Sequence, residues 1–427
     1  MKNQTLTFAM LISTAAALCV AVILPNEAPV AAASGVSERV ASPVPAPVPR
    51  PAPRADVGEA PALLPVVPSW EGFTVADGLP SNKVFCIRID GSRVWAGTDT
   101  GLALYQNGRW SVIGVQDGLP HRAVLSVDVS PQTGDVWVGT MGGLARITAG
   151  RVDVFTQTNS GLSNNFVHEV QCDPDENVVW AATAMGLSRF DVVSRTWQVY
   201  THENTPMHEP WTYSVAVDRG MVYVGAWGGG ILEYDKARNR WREYRDPDKE
   251  MEIDLLPDDG PVHDVTSGLD FAGGVLWQAT YMGMARYDGR QWWSYYKEDS
   301  GLPSNFVNFV RSRGTTAWIC TDSGLAVSDG QRWVVYGGAG PKGGEIRLID
   351  GNRVRRRLRA RSLYPHSFVL SVDMNGPDVW VATEGGVGHG KIDPSLGFGP
   401  PGRESAQASD LGRDRKSSGV AAGAAGR

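Results

Sequence analysis

The chain has 427 residues, of which 42% are hydrophobic, with 15 tryptophans and a formal charge of −6. This composition supports a large buried core, and the mild negative charge argues against a nucleic-acid partner for the whole molecule. The four cysteines form no CxxC motif and no paired spacing. We therefore expect Cys86, Cys172 and Cys320 to be buried apolar residues rather than a disulfide frame or a zinc site.

The first 67 residues are not expected to belong to a packed domain. Residues 1–33 begin with Lys2, continue with an apolar run from Leu6 to Leu24 and end in small residues, which is typical of an export signal. The run is almost long enough to span a bilayer, so a cleaved signal peptide and an uncleaved N-terminal membrane anchor both remain open. Residues 34–67 are rich in Pro and Ala, which predicts a semi-rigid linker. We expect an exported protein, periplasmic or at the cell surface, anchored or secreted.

One short sequence recurs along the rest of the chain. It reads Trp-Ala-Gly-Thr-Asp-Thr-Gly-Leu from Trp95 to Leu102 and returns six times in variant form. An aromatic residue opens each copy, and the copies begin 41 to 62 residues apart. A repeat of this length with several short strands per unit is typical of a β-propeller. The opening residues are Trp95, Trp137, Trp180, Tyr223, Trp277, Trp318 and Trp380.

Each repeat predicts four antiparallel strands, and hence one propeller blade. An apolar strand precedes the recurring sequence, which forms a second strand, turns at Thr-x-x-Gly and continues as a third; an aromatic fourth strand follows. The seventh repeat lacks this fourth strand, whereas an orphan strand, Trp70 to Phe73, precedes the first repeat. We therefore predict an all-β, seven-bladed propeller over residues 68–394, closed by the N-terminal strand, and a disordered tail over residues 395–427.

A second signature connects the fourth strand of one repeat to the first strand of the next, for example at Gly78 to Asn82 and at Gly301 to Asn305. The paired signatures W-x-G-T-x-x-G-L and G-L-P-S-N resemble the two-component regulator propeller repeat, over residues 70–394. The resemblance implies a sugar-sensing or ligand-binding ring, because that family in its best-known setting forms the extracytoplasmic sensor of hybrid histidine-kinase systems that detect polysaccharide. The residues after Pro394 are not expected to form a kinase, receiver or DNA-binding domain, so signalling within this chain is not expected.

Histidines recur at one position of this connecting sequence. His121, His263 and His366 occupy a position that holds Ser or Asn in other repeats, and His208 and Glu209 lie there in the fourth repeat. In a propeller these loops share one face around the central channel, so the side chains are expected to meet there. Two interpretations remain open. The histidines either line a funnel that holds a metal or moves protons, or cap the backbone of their loops as Ser and Asn do.

The first interpretation makes His121, His263 and His366 candidate ligands of a divalent metal, the one cofactor that the sequence suggests. Residues of the Thr-x-x-Gly turns on the same face would add ligands or packing. Trp211 and Trp227 depart from the repeat pattern and could stack on a sugar ring from the funnel side, whereas most other tryptophans are expected in the core. The residues of the Thr-x-x-Gly turns that would add ligands or packing are Asp99, Met141, Met185, Trp227, Met282, Asp322 and Glu384.

Two long insertions separate particular repeats. Residues 245–260 are acidic, and residues 345–359 predict a protruding hairpin with a turn at Asp350-Gly351-Asn352. The hairpin arginines, Arg355 and Arg357 among them, would bind carboxylate or sulfate groups of an anionic glycan, or would keep the strand edge from pairing. His366 follows this hairpin, so we expect both features to meet at one rim of the funnel.

These observations favour an exported ligand-binding or sensory propeller that recognises an extracellular glycan or an envelope protein on its funnel face. The alternatives are a metal-dependent lyase or hydrolase that uses the funnel histidines, and a protein-interaction scaffold. The sequence contains no phosphate-binding loop, G-x-S-x-G or HExxH motif. The candidate ligand-binding residues are His121, His208, Glu209, His263, His366, Trp211, Trp227, Arg355 and Arg357.

Overall fold

The computed structural model describes residues 63–218, 220–246 and 260–400, which form seven β-sheets arranged as the blades of one propeller. The prediction of an all-β, seven-bladed propeller is confirmed. The predicted export signal, most of the predicted linker, most of the acidic insertion and the tail after Pro400 lie outside the described residues. Within the described ranges, no helix is long and apolar enough to cross a membrane.

The blades of this part of the chain contain thirty strands, the first of which, β1 (Trp70–Phe73), belongs to blade seven. Blade one consists of β2 (Val84–Asp90), β3 (Arg93–Thr98), β4 (Gly101–Gln106) and β5 (Arg109–Ile113). Blade two consists of β6 (Val124–Val129), β7 (Val136–Thr140), β8 (Gly143–Thr148) and β9 (Arg151–Phe155). Blade three consists of β10 (Val167–Cys172), β11 (Val178–Thr183), β12 (Gly186–Asp191) and β13 (Thr196–Tyr200). Blades four and five consist of β14 (Thr212–Asp218), β15 (Met221–Ala226), β16 (Gly230–Asp235), β17 (Arg240–Tyr244); and β18 (Thr266–Ala272), β19 (Val275–Thr280), β20 (Gly283–Tyr287), β21 (Trp292–Tyr295). Blade six consists of β22 (Val307–Arg313), β23 (Thr316–Thr321), β24 (Gly324–Ser328), β25 (Arg332–Gly337), β26 (Gly344–Asp350) and β27 (Arg353–Ala360), and blade seven of β28 (Val369–Asn375), β29 (Asp378–Thr383), β30 (Gly386–Lys391) and β1.

The Thr-x-x-Gly sequence forms the tight turn between the second and third strands of a blade. In blade one the Thr98 hydroxyl donates to the Gly101 carbonyl at 2.8 Å and accepts the Thr100 N–H at 3.2 Å. Gly101 has a φ of 152°, a conformation that residues with a Cβ rarely adopt. The same hydroxyl bond recurs in blades two, three, five, six and seven. A local hydrogen bond thus explains why this sequence recurs.

The second strand of each blade is buried because a neighbouring blade covers each face of the sheet. The aromatic residues that open these strands are 0 to 4% exposed, as expected for core positions. Gly97 in β3 permits the close contact, since a Cβ there would lie 2.5 Å from Cys86 Sγ and 2.7 Å from Val124 Cγ1. Cys86, Cys172 and Cys320 are buried free thiols, which confirms their predicted role.

The inner strands β2, β6, β10, β14, β18, β22 and β28 surround a central channel, each in contact with the next, and β28 contacts β2. Blade seven takes its outer strand from the N-terminal side of the chain, where Trp70 pairs with Gly390 and Phe73 pairs with Val387. Leu64 is buried and bridges to Phe398. The packed domain therefore includes residues on both sides of the range 68–394.

Each inner strand is the edge of its sheet, so the N–H groups on its free edge have no neighbouring strand to bond with. Side chains of the preceding blade accept several of them. Asp373 Oδ2 accepts the Ile89 N–H at 2.8 Å, and Asp128 Oδ2 accepts the Cys172 N–H at 2.7 Å. These bonds join adjacent blades where sheet hydrogen bonds cannot. Gln171 and Asp270 make the equivalent bonds to Val217 and Ser312.

All four acceptors occupy one register position, opposite the aromatic residue of their own second strand. Arginines occupy this position in blades one and six. Arg88 Nε lies 2.8 Å from Asp128 Oδ1, and Arg311 Nη1 lies 3.5 Å from Asp270 Oδ1. Asp128 raises the pKa of the Arg88 guanidinium above its usual value. Carboxylates that hold the blades together are thus paired with cations inside the channel.

The predicted hairpin at residues 345–359 is present, but it extends blade six outward. Strand β26 pairs with β25 and β27 pairs with β26, so the hairpin supplies the fifth and sixth strands of this sheet. Ile346 and Leu348, which are 0 and 1% exposed, fix it against the core. Because successive strands alternate in direction, the Asp350–Arg353 turn lies at the opposite end of the blade from His366. The expectation that both meet at one funnel rim is therefore wrong.

Replacing Asp373 by Ala should destabilise the ring by about 2–4 kcal/mol, because it removes the acceptor of the Ile89 N–H and a partner of the Arg88 charge. The control Asp153→Ala should change the free energy of unfolding by less than about 1 kcal/mol, since Asp153 pairs with an Arg151 side chain that is 80% exposed. Denaturant unfolding followed by tryptophan fluorescence measures both. If both variants lose the same free energy of unfolding, the bond between the last and first blades contributes no more than an exposed ion pair.

Candidate functional site

The inner strands begin at one end of the channel, which we call the upper mouth. The loops that precede the inner strands and the turns between second and third strands lie side by side there. The Asp322 N–H donates to the Phe306 carbonyl at 3.3 Å in blade six, and a Cβ on Gly142 would lie 2.9 Å from His121 Cβ in blade two. The loop position that carries the histidines and the Thr-x-x-Gly turns thus border the same mouth.

His121, His263 and His366 all cap the backbone of their own loop. In each case the ring Nδ1 accepts the N–H of the residue two positions later, at 3.0, 2.9 and 3.0 Å respectively. Because Nδ1 accepts, the proton of the neutral imidazole lies on Nε2. The capping interpretation therefore describes the observed geometry. Ser81, Asn164 and Ser304 make the equivalent bond in other blades.

The predicted metal set is not assembled. His121, His263 and His366 belong to blades two, five and seven, no two of which are neighbours. A metal requires its donors about 2 Å from one point, and the part of the chain that the structure describes contains no group of three His, Cys, Asp or Glu side chains placed to hold one. The physical reason is that each imidazole is held within its own loop by its cap.

An arc of aromatic side chains lines one side of the upper mouth, across blades three to six. Trp211 and Trp227, both singled out from the sequence, have ring centroids 6.0 Å apart. Trp227 contacts Tyr281 at 5.6 Å, and Tyr281 stacks on Phe306 at 4.0 Å with 4° between the ring planes. All members are half-buried except the buried His168. This aromatic arc comprises Phe166, His168, Trp211, Tyr213, Trp227, Tyr281 and Phe306.

A β-bulge places His168 and Tyr213 in the aromatic arc. The register between first and second strands shifts by one residue at each of them, so neither has a cross-strand partner. Sequence reasoning missed both residues, together with Phe166 and Phe306, which directly precede inner strands. The available signal was an aromatic side chain at two positions, the last residue before the inner strand and the residue at the bulge. In each of blades one, two, five and seven, at least one of these positions carries a small, aliphatic or charged residue.

Glu209 and His208 lie beside the aromatic arc in blade four. Glu209 is exposed and adjoins the turn that carries Trp227, since a Cβ on Gly229 would lie 3.4 Å from Glu209 Cβ. The His208 side chain is 58% exposed, and its Nε2 lies 3.3 Å from Glu243 Oε2. The structure thus brings Glu209 together with the two predicted tryptophans.

Arg355 and Arg357 lie away from the upper mouth, on the outermost strand of blade six. Arg355 Nη2 lies 2.9 Å from Asp350 Oδ2, and Arg357 Nη1 lies 2.7 Å from Glu345 Oε1. Their guanidinium groups therefore pair within the hairpin. They do not share a surface with the funnel histidines.

Acidic turn residues follow the aromatic arc around the upper mouth, beginning beside Phe306 in blade six. Asp322, Glu384 and Asp99 are the first turn residues of blades six, seven and one. Lys83 Nζ lies 3.6 Å from Glu384 Oε1, which links blades one and seven. The mouth therefore presents an apolar surface along one part of its rim and carboxylates along the next.

Two adjacent titratable side chains of β10, His168 of the aromatic arc and Glu169, have shifted pKa values. Burial lowers the pKa of His168 to about 3, and the Trp211 indole N–H donates to its Nε2. Burial raises the pKa of Glu169 to about 8, although the Val215 N–H donates to its Oε2 at 2.9 Å and the Arg311 charge opposes the shift. His168 is therefore neutral and Glu169 protonated at neutral pH.

The inner strands end at the other end of the channel, the lower mouth, where there is a cavity of about 600 Å³. Residues of blades one, two, five, six and seven line it, including Arg88, Arg311 and Arg313. Sequence reasoning considered only the upper mouth. The missed signal was a charged residue between two apolar ones near the end of a first strand, as at Arg88 between Ile87 and Ile89.

No protein-family model and no curated protein matches this sequence. Solved structures share its fold. The extracellular domain of BT3049 from B. thetaiotaomicron, assigned to a hybrid two component system, has a TM-score of 0.57 at 15% identity, over 79% of this chain and 42% of that chain. Streptogramin B lyase has a TM-score of 0.53 at 14% identity, over 76% of this chain and 97% of the lyase. Virginiamycin B lyase from Staphylococcus aureus with quinupristin has a TM-score of 0.52 at 11% identity, over 76% and 99%.

These similarities show the fold alone. They confirm the propeller that the sequence resemblance implies, and the neighbours include an extracellular domain of a two-component system protein. The present chain spans less than half the length of that neighbour.

Replacing Glu169 by Gln should change how stability depends on pH. The folded-state pKa of about 8 lies above the ordinary carboxyl value of 4.5, so the contribution of the protonated carboxyl to stability is complete below pH 4.5 and is lost as the pH rises through 8. Glu169→Gln should therefore gain stability relative to the wild type between pH 5 and 8, by at most about 1.4 kcal/mol per pH unit. Urea unfolding at each pH measures the difference. A difference between Glu169→Gln and the wild type that does not change with pH would contradict the shift.

The role of the funnel histidines as caps predicts the effect of two substitutions. His263→Asn should stay within about 0.5 kcal/mol of the wild type, because Asn164 makes the same bond in blade three, whereas His263→Ala should lose about 1 kcal/mol. Thermal unfolding distinguishes them. If Asn is as damaging as Ala, capping is not what the histidine contributes.

Proposed function

We propose that this chain is an exported ligand-binding or sensory propeller that recognises a carbohydrate at the upper mouth. The observation that carries the proposal is the aromatic arc, a continuous run of half-buried rings at the upper mouth. The C–H face of a sugar ring packs flat against such rings. Glu209 beside Trp227 would accept hydrogen bonds from sugar hydroxyl groups.

The shape of the aromatic arc favours an oligosaccharide over a single sugar. Its rings follow one another at centroid distances of 4.0 to 6.0 Å from Phe166 to Phe306. A ligand in contact with its whole length would therefore span four blades. The carboxylates of Asp99, Asp322 and Glu384 border the same mouth and would discriminate against strongly anionic chains.

The likeness of the fold to the extracellular domain of a two-component system protein supports a sensory role outside the cytoplasm. The export signal expected over residues 1–33 supports the same location. The likeness to two lyases does not favour an enzyme in the same way. Each funnel histidine caps its own loop, and the described residues bring no metal-ligand group together.

Replacing Trp227 by Ala should weaken oligosaccharide binding at least about tenfold, because a central tryptophan typically supplies more than about 1.4 kcal/mol of binding free energy. The matched control is Trp293→Ala on β21, a half-buried tryptophan that packs against Arg286 far from the mouth. It should leave the dissociation constant within about twofold. A glycan array identifies the ligand, and titration calorimetry measures both variants.

Two results would overturn the carbohydrate assignment. One is an array on which no glycan binds the wild type. The other is an envelope protein that the wild type retains and Trp227→Ala loses, which would replace the sugar with a protein ligand at the same surface.

A further inference from the structure

The lower mouth has the size and lining of a small-molecule site. Its cavity of about 600 Å³ lies within the range of about 300–1,000 Å³ that small ligands occupy. The ends of five inner strands converge on it. Nothing in the proposed role of the upper mouth requires this cavity, so it calls for a separate explanation.

Two of the three carboxylates in this cavity, those of Asp270 and Asp373, are already committed to the backbone, and the third, Asp90, pairs with Arg93. Asp373 accepts the Ile89 N–H at Oδ2 and the Met374 N–H at Oδ1, at 2.8 and 3.0 Å. Asp270 Oδ2 accepts both the N–H and, at 2.8 Å, the hydroxyl of Ser312. These acids therefore join blades rather than saturate the neighbouring guanidinium groups.

The guanidinium groups retain unused donors. Arg311 Nε is buried and has no hydrogen-bond partner among the described residues. Its Nη1 lies 3.5 Å from Asp270 Oδ1, which is longer than a good N–H···O bond. Arg313 donates from Nη2 to the Met374 carbonyl at 2.8 Å, and no ion pair joins it to an acid in the described ranges.

Arg311 and Arg313 are two residues apart on β22, so their side chains leave the strand on the same face, about 6.6 Å apart. Both line the cavity. A planar guanidinium presents pairs of parallel N–H donors, which match the two oxygens of a carboxylate. The lining as a whole is balanced, with Arg88, Arg311 and Arg313 against Asp90, Asp270 and Asp373. This balance favours a singly charged carboxylate over a doubly charged phosphate.

We propose that the lower mouth is a second binding site, for a small molecule that carries a carboxylate held by Arg311 and Arg313. The ligand chemistry is shared by sugar acids and by other small organic acids. The Asn375 amide, which also lines the cavity, would bind hydroxyl or amino groups of such a ligand. This proposal does not rest on carbohydrate binding at the upper mouth.

Ligand-observed NMR titration of the full chain with D-glucuronate, D-glucose and lactate tests the site. We expect saturable binding of a carboxylate probe and none of glucose, which has the same ring as glucuronate without the carboxylate. Binding of glucuronate alone would assign the site to sugar acids, and binding of lactate would extend it to small acids in general; both support the proposal. Failure of both carboxylates to bind, or binding of glucose as strong as that of glucuronate, would overturn it.

Substitutions locate the bound carboxylate. Arg313→Gln, at an exposed position, and Arg311→Lys, which keeps the charge but removes the two-donor edge, should each weaken binding at least tenfold. Arg240→Gln on β17 and Trp227→Ala at the upper mouth should leave the dissociation constant within twofold. Thermal unfolding shows whether each variant folds. If Arg311→Lys does not fold, the affinity of Arg313→Gln decides the outcome. Loss of binding in Trp227→Ala with retention in Arg313→Gln would place the carboxylate at the upper mouth and overturn the proposal.

Discussion

The free edge of each inner strand is the constraint on which this propeller depends. A strand at the end of a sheet presents N–H groups that need acceptors wherever water is largely excluded. Here side chains of one blade accept them from the next, as Asp373 does from Ile89 and Gln171 does from Val217. The channel must therefore carry acceptor side chains, and where these are acids at close quarters they require nearby cations. Arg88 and Arg311 supply them.

The two mouths differ chemically because the inner strands are regular at one end and bulged at the other. Near the lower mouth, regular pairing keeps charged side chains in contact with the adjacent blade. Near the upper mouth a register shift occurs in every inner strand, and it frees one residue per blade from cross-strand pairing. His168 and Tyr213 are such residues. One ring thus carries an aromatic surface above and a charged cavity below.

The blade could be predicted from the sequence because its signals are local, as in the bond of Thr98 to a glycine three residues away. The equivalence of His121, His263 and His366 could also be predicted, since aligned repeats occupy equivalent places. Whether these histidines meet at one metal could not be predicted, because spacing along the chain does not give distances between blades. For the same reason only the two tryptophans of the aromatic arc were recognised. The hairpin turn was found, but its position depends on burial of Ile346 and Leu348 against distant residues.

Arg311 shows how a structural charge creates a binding surface. Its charge opposes the rise in the pKa of Glu169, and its Nη1 faces Asp270, whose Oδ2 is committed to Ser312. An apolar residue at this position would remove the arginine nearest to Asp270. A lysine would keep the charge but lose the planar pair of donors. The requirement to join blades therefore places an arginine in the lining of the lower mouth, and its Nη1 lies too far from Asp270 Oδ1 for a good hydrogen bond.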